Sequence, residues 1–145
     1  MKQLDVAFRF LFSSIAAVTL AACAMTPPGG ITADPNISLP VTFDKIWYRT
    51  ANVRLLGLAY EASGVLTVRE DSVEFSHQDG IVKIPSRNIE KVTWGKLSPD
   101  IMNDWVIIHL SGSEQGAVAA FKGALFSGGA ESRLYSAILR VAKTK

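Results

Sequence analysis

The 145-residue sequence predicts a mainly β domain of the α+β class, with about seven antiparallel strands and one C-terminal helix. Three observations lead to this prediction. Short apolar runs separated by turn-forming residues follow one another from Val41 onward. Val73 and Phe75 alternate with polar neighbours, which is the pattern of a half-buried strand. Near the end of the chain, after Gly128-Gly129, apolar residues recur at helical spacing.

Seven segments fit strands, and two of them are joined by Gln78-Asp79-Gly80, a hairpin signal of the Asp-Gly type. The predicted strands cover residues 53–60, 64–69, 73–76, 82–84, 89–96, 104–111 and 117–121. The most apolar of them alternates between two faces, with Val106, Ile108 and Leu110 on one and Trp105, Ile107 and His109 on the other. We expect Phe75 and Ile108 to be buried.

At the C-terminal end, Leu134, Ile138 and Val141 predict an amphipathic helix whose apolar stripe packs on the sheet. The stretch from Phe43 to Tyr48 leaves two alternatives open. It forms either one helical turn or an irregular strap over the sheet.

Residues 1–22 have the order of a secretory signal peptide, with Lys2 and Arg9 ahead of an apolar core and small residues after it. The alternative is an uncleaved transmembrane helix. The charge-free run is about 16 residues, whereas a span needs roughly 20. Pro27 and Pro28 follow closely and would stop a helix there. We therefore predict that the signal is cleaved.

The only cysteine closes this apolar run, in Leu20-Ala21-Ala22-Cys23. A secreted chain with one cysteine has no internal disulfide, so the thiol is free, intermolecular or modified. The four residues resemble the lipobox of bacterial lipoproteins. This resemblance implies cleavage before Cys23, a diacylglycerol on its sulfur and a fatty acid such as palmitate on its amine. It also implies outer-membrane anchoring with the domain in the periplasm, since Ala24 is not the Asp that favours inner-membrane retention.

Residues 23–40 read as the lipidated cysteine and a tether, because six prolines and glycines leave little room for a helix or a central strand. These are Pro27, Pro28, Gly29, Gly30, Pro35 and Pro40. Residues 41–145 form the predicted domain.

The hydrophobic spacing of residues 50–143 resembles a pleckstrin-homology-like (PH-like) domain of the GRAM type. The residues that carry the resemblance are Gly64, Leu66, Phe75, Ile84-Pro85, Ile89, Val92, Trp105, Phe121 and the final helix. It implies a bent barrel of about seven antiparallel strands with the helix plugging one open end. Phosphoinositide-binding members cluster Lys and Arg around the first hairpin. Here that hairpin contains Glu61, and Arg54 and Arg69 are well separated, so we expect no phosphoinositide ligand.

The charge balance also argues against nucleic acid. Without residues 1–22 the chain carries 13 basic and 12 acidic side chains, whereas nucleic-acid binding favours a strongly basic face. His77 and Asp79 are spaced for a base and its orienting carboxylate, but the sequence supplies no matching nucleophile. With His109 as the second and last histidine, we expect no metal site, no cofactor and no catalytic residues.

These observations favour a non-catalytic envelope lipoprotein whose domain binds a protein or peptide partner. Trp47, Tyr48 and Trp105 are the candidate contact residues, because aromatic side chains often dominate interfaces; core packing is the alternative role for each. An apolar-ligand or lipid-binding module is the second hypothesis. A small hydrolase using His77 or His109 is the third.

Overall fold

The computed structural model describes residues 31–51, 60–112, 117–124 and 130–143. Within them the chain forms seven strands, a 3-10 turn at Ser86–Asn88 and one helix. The elements are β1 (Val41–Thr50), β2 (Ala62–Val68), β3 (Ser72–His77), β4 (Gly80–Pro85), β5 (Ile89–Leu97), β6 (Asp100–Leu110), β7 (Val118–Gly123) and α1 (Ala130–Lys143).

The seven strands form one antiparallel sheet in the order β4-β3-β2-β1-β7-β6-β5, which curls into a half-barrel. Helix α1 packs on the concave face and contacts strands from both halves of the sheet. The mainly β fold with one C-terminal helix is therefore confirmed. Six of the predicted strands correspond to β2 through β7. The seventh, residues 53–60, lies almost wholly outside the described residues.

The stretch from Phe43 to Tyr48 is neither a helical turn nor an irregular strap. It lies within β1, which pairs with both β2 and β7 at the centre of the sheet. The pairing register shifts between Phe43 and Ile46, and Lys45 between them has φ of 54°. This bulge places Phe43 and Ile46, three residues apart, on the same buried side. A helix has that spacing too, which is why the sequence pattern was ambiguous.

The core fills the space between the concave face and the helix. Phe75 and Ile108 are fully buried, as predicted. Leu134, Ile138 and Val141 of α1 are also fully buried in this core, so the stripe on the helix faces the sheet as its spacing indicated.

The part of the predicted tether that the structure describes, residues 31–40, packs on the domain. Ile37 is 6% exposed and belongs to the core. The Asp34 backbone N–H donates to the Ser136 hydroxyl at 2.8 Å, and the Ser132 hydroxyl donates to the Thr32 carbonyl at 3.3 Å. The guanidinium of Arg140 donates to the Ile37 carbonyl. Residues 31–40 are held there in part because Ile31 and Ile37 supply apolar contacts to the core.

Candidate partner-binding surface

Trp47 and Tyr48 are neighbours on β1 and lie on opposite faces of the sheet. Tyr48 turns toward the concave face, where its ring centroid lies 5.2 Å from that of Phe75 and 5.4 Å from that of Phe121. Burial, with a smaller contribution from Glu61, raises the pKa of the Tyr48 phenol. Tyr48 therefore packs mainly against the aromatic side chains of the core.

A second, smaller group of apolar side chains packs on the other face, and we call it the convex cluster. Its buried members are Trp105, Ile107, Val118 and Ala120, against which Trp47, Tyr60 and Leu97 pack. Trp47 stacks on Tyr60, with ring centroids 4.5 Å apart and ring planes 20° from parallel. Both rings keep part of their surface exposed, whereas Trp105 is 0% exposed. The structure thus brings Trp47 and Trp105 into one cluster. Of these two, only Trp47 has exposed surface that a partner could contact.

Arg49 completes the convex cluster with a fully buried guanidinium. Its central carbon lies 5.6 Å from the centroid of the Trp105 ring, within reach of a cation–π interaction. The guanidinium donates to the Ser98 carbonyl at 3.1 Å and to the Thr50 carbonyl at 3.3 Å. Its Nη1 atom has no hydrogen-bond partner within the described ranges. A buried cation is costly to desolvate. Here the two backbone carbonyls and the indole face stabilise the guanidinium in place of a carboxylate.

Asp100 holds the turn between β5 and β6 beside this cluster. Its carboxylate accepts from the Trp105 indole N–H at 2.9 Å, from the side chain of Asn103 at 2.9 Å, and from the backbone N–H groups of Met102 and Asn103 at 2.9 and 3.1 Å. Burial alone would raise the pKa of Asp100, but these hydrogen bonds outweigh it and lower the pKa below its ordinary value. The ionised carboxylate therefore fixes both the turn and the orientation of Trp105.

The two histidines lie on different strands and do not form one site. His77 ends β3, stacks on Phe75 at 5.4 Å, and accepts a long 3.4 Å hydrogen bond from the Asp79 backbone N–H. His109 lies on β6, with its Nε2 atom 2.9 Å from the Thr93 hydroxyl. Burial, aided by Lys91, lowers the pKa of His109. Among the residues that the structure describes, no group of three or more His, Cys, Asp or Glu is placed to hold a metal ion.

A cleft of about 270 Å³ lies beside the helix, between the N-terminal segment and α1. It is lined by Ala33, Asp34, Pro35, Ser136, Leu139, Arg140 and Lys143. This cleft is open to solvent, and none of the residues that line it belongs to the convex cluster.

No family model and no curated protein sequence matches this chain. Within the described part of the chain, no helix is both long enough and apolar enough to cross a bilayer. Cys23 lies outside the described residues.

Three residues of this surface were not identified from the sequence: Arg49, Tyr60 and Asp100. Alternation along β1 is the signal that places Arg49 beside Trp47, since residues two apart in a strand share a face. Tyr60 ended the predicted strand over residues 53–60 and was not singled out as a contact residue. Asp100 carried no pattern at all, because its four donors converge only once the turn between β5 and β6 has formed.

Proposed function

We propose that this protein is an envelope lipoprotein, anchored through Cys23, whose non-catalytic PH-like domain binds a protein or peptide partner at the membrane surface. The observation that carries the binding role is the stacked pair Trp47–Tyr60, partly exposed over the buried Trp105 and Arg49. The lipobox supports the anchor. The outer membrane, with the domain in the periplasm, is the proposed location.

The composition of the convex cluster fits an interface. Trp, Tyr and Arg are the residue types most enriched among those that dominate binding energy. A partner covering Trp47 and Tyr60 would remove their remaining exposed area from water. The side chains beneath them are already ordered, because Asp100 and Arg49 hold Trp105 and the turn between β5 and β6 in place. Little side-chain entropy would then be lost on binding.

The PH-like assignment is part of the same proposal. A curled antiparallel sheet with a C-terminal helix on its concave face is the arrangement that the resemblance implies. In this arrangement the helix occupies the concave face, and the convex face is left to contact other molecules. The binding surface is therefore proposed on the convex side.

The anchor is tested by Cys23→Ser. We expect the variant to accumulate as an unlipidated precursor that takes up no fatty-acid label and does not reach the outer membrane. The measurement is metabolic labelling with a fatty-acid analogue, followed by fractionation of the envelope. Wild-type protein that takes up no label would contradict the lipoprotein assignment.

Partner binding is tested by Trp47→Ala in the mature chain carrying Cys23→Ser. Binding to a partner cross-linked from envelope extract should weaken by about 2 kcal/mol, which is roughly 30-fold in Kd. The matched control is Ile81→Ala, which trims an apolar side chain that is 70% exposed on β4. Both variants are first compared with the wild type by thermal unfolding. Equal partner affinity for the two folded variants would exclude the Trp47–Tyr60 surface.

A further inference from the structure

Two large apolar side chains stand in solvent at the start of β6. Ile101 is 79% exposed and Met102 is 83% exposed, the highest values among the exposed large hydrophobic residues of the described chain. They are adjacent in sequence and lie one residue beyond the two-residue turn between β5 and β6. We call the pair the apolar tip. Single exposed apolar residues are ordinary, but two highly exposed ones at the end of the same hairpin point to a contact.

The apolar tip is held in place by hydrogen bonds rather than left to fray. The backbone N–H of Met102 donates to the Asp100 carboxylate at 2.9 Å. The Met102 carbonyl accepts from the Lys96 ammonium at 3.2 Å. The same ammonium lies 3.1 Å from the Asp104 carboxylate. Both backbone polar groups of Met102 therefore have partners, and its side chain is presented outward at little further entropic cost.

The N-terminal segment meets the domain at the same place. Ile31, the first described residue, lines a groove of about 380 Å³ together with Met102 and Trp94. Cys23 precedes Ile31 by eight residues, so the chain between them reaches at most about 29 Å. A domain of this size is about 35 Å across. The chain from Cys23 is therefore too short to reach around the domain. With Cys23 held in the membrane, the end of the domain that carries Ile31 and Met102 lies closest to the bilayer.

The charges around the apolar tip suit a lipid surface. Asp100 is buried and engaged by four donors, and Asp104 is paired with Lys96. Neither of these two carboxylates near the tip is thus left uncompensated to repel anionic head groups. The Lys96 ammonium sits beside the tip, where it can remain at the depth of the head groups while Ile101 and Met102 enter the acyl boundary.

We infer that Ile101 and Met102 insert into the bilayer surface beside the lipid on Cys23 and so form a second membrane contact that orients the domain. The inference rests on the proposed lipidation of Cys23. A short apolar insertion is weak by itself and becomes effective when a lipid anchor already holds it at the membrane. The contact fixes which end of the domain faces the lipid.

The test uses the mature lipidated protein bound to vesicles of phosphatidylethanolamine and phosphatidylglycerol. Met102→Cys supplies a single reactive thiol, since the lipid blocks Cys23, and this thiol is labelled with an environment-sensitive fluorophore. Ile81→Cys, on the β4 edge of the sheet, is the matched control, and Ile101→Cys is a second site on the tip. We expect the two tip labels to shift to shorter emission wavelength on vesicles and to lose several-fold in quenching by an aqueous quencher, while the label at residue 81 does not change.

Equal quenching at residues 81, 101 and 102 on vesicles, with the lipid on Cys23 confirmed by intact mass, overturns the membrane contact and leaves the lipoprotein assignment standing. A mature protein whose mass shows no lipid on Cys23 overturns both. Protection at the tip of the lipidated protein alone, and not of the Cys23→Ser form, is the result that the inference requires.

Discussion

A chain that ends at Ser127 should fail to fold cooperatively and should aggregate. Removal of α1 uncovers the concave face of the sheet. The helix side chains that cover this face are at most 5% exposed, namely Leu134, Tyr135, Ile138 and Val141. Burial of each such side chain stabilises the fold by about 1.5–3 kcal/mol. Four of them together match the free energy of unfolding of a typical domain, about 5–15 kcal/mol. The open face would then present apolar strands to other copies of the chain.

The measurement is gel filtration followed by thermal unfolding monitored by circular dichroism. A chain that ends at Lys143 keeps every residue of α1 and is the matched control, which should elute and unfold like the full mature chain. A soluble shortened chain with a single cooperative transition would show that the helix is an accessory and that the sheet carries its own core. The PH-like assignment would fall with that result, because in that fold the helix closes the sheet.

Strands β2 to β7 and the helix could be predicted from the sequence because their pattern is local. Val73 and Phe75 alternate with polar residues, and the turn at Gln78-Asp79 interrupts the run where β3 meets β4. Strand β1 could not be assigned, because the bulge at Lys45 changes the side on which successive apolar residues point. A break in the two-residue alternation of apolar and polar side chains removes the signal on which strand assignment depends.

The candidate site was predicted in part. Trp47 and Tyr48 were identified by residue type, but type does not say which face a side chain takes. That depends on the register of β1 against β7, which pairs Trp47 with Lys122 and Tyr48 with Phe121. The stacking of Trp47 on Tyr60 and the approach of Arg49 to Trp105 are likewise contacts between distant segments. No spacing along the chain encodes them.

Phe75→Ala should cost roughly 3–5 kcal/mol of stability, the range for removing a large buried aromatic side chain. Phe75 is 0% exposed, and its ring lies 5.2 Å from Tyr48 and 5.8 Å from Phe121 between ring centroids. Truncation leaves a cavity that these two rings, held on the central strands β1 and β7, have little freedom to fill. The loss should appear as a lower urea midpoint with an unchanged slope.

Ile81→Ala, which trims a 70% exposed side chain on neighbouring β4, should change stability by no more than about 0.5 kcal/mol. A loss below about 1 kcal/mol for Phe75→Ala would mean that the three rings do not form the packed centre of this fold, since a tightly packed core cannot absorb a vacancy of that size at so small a cost.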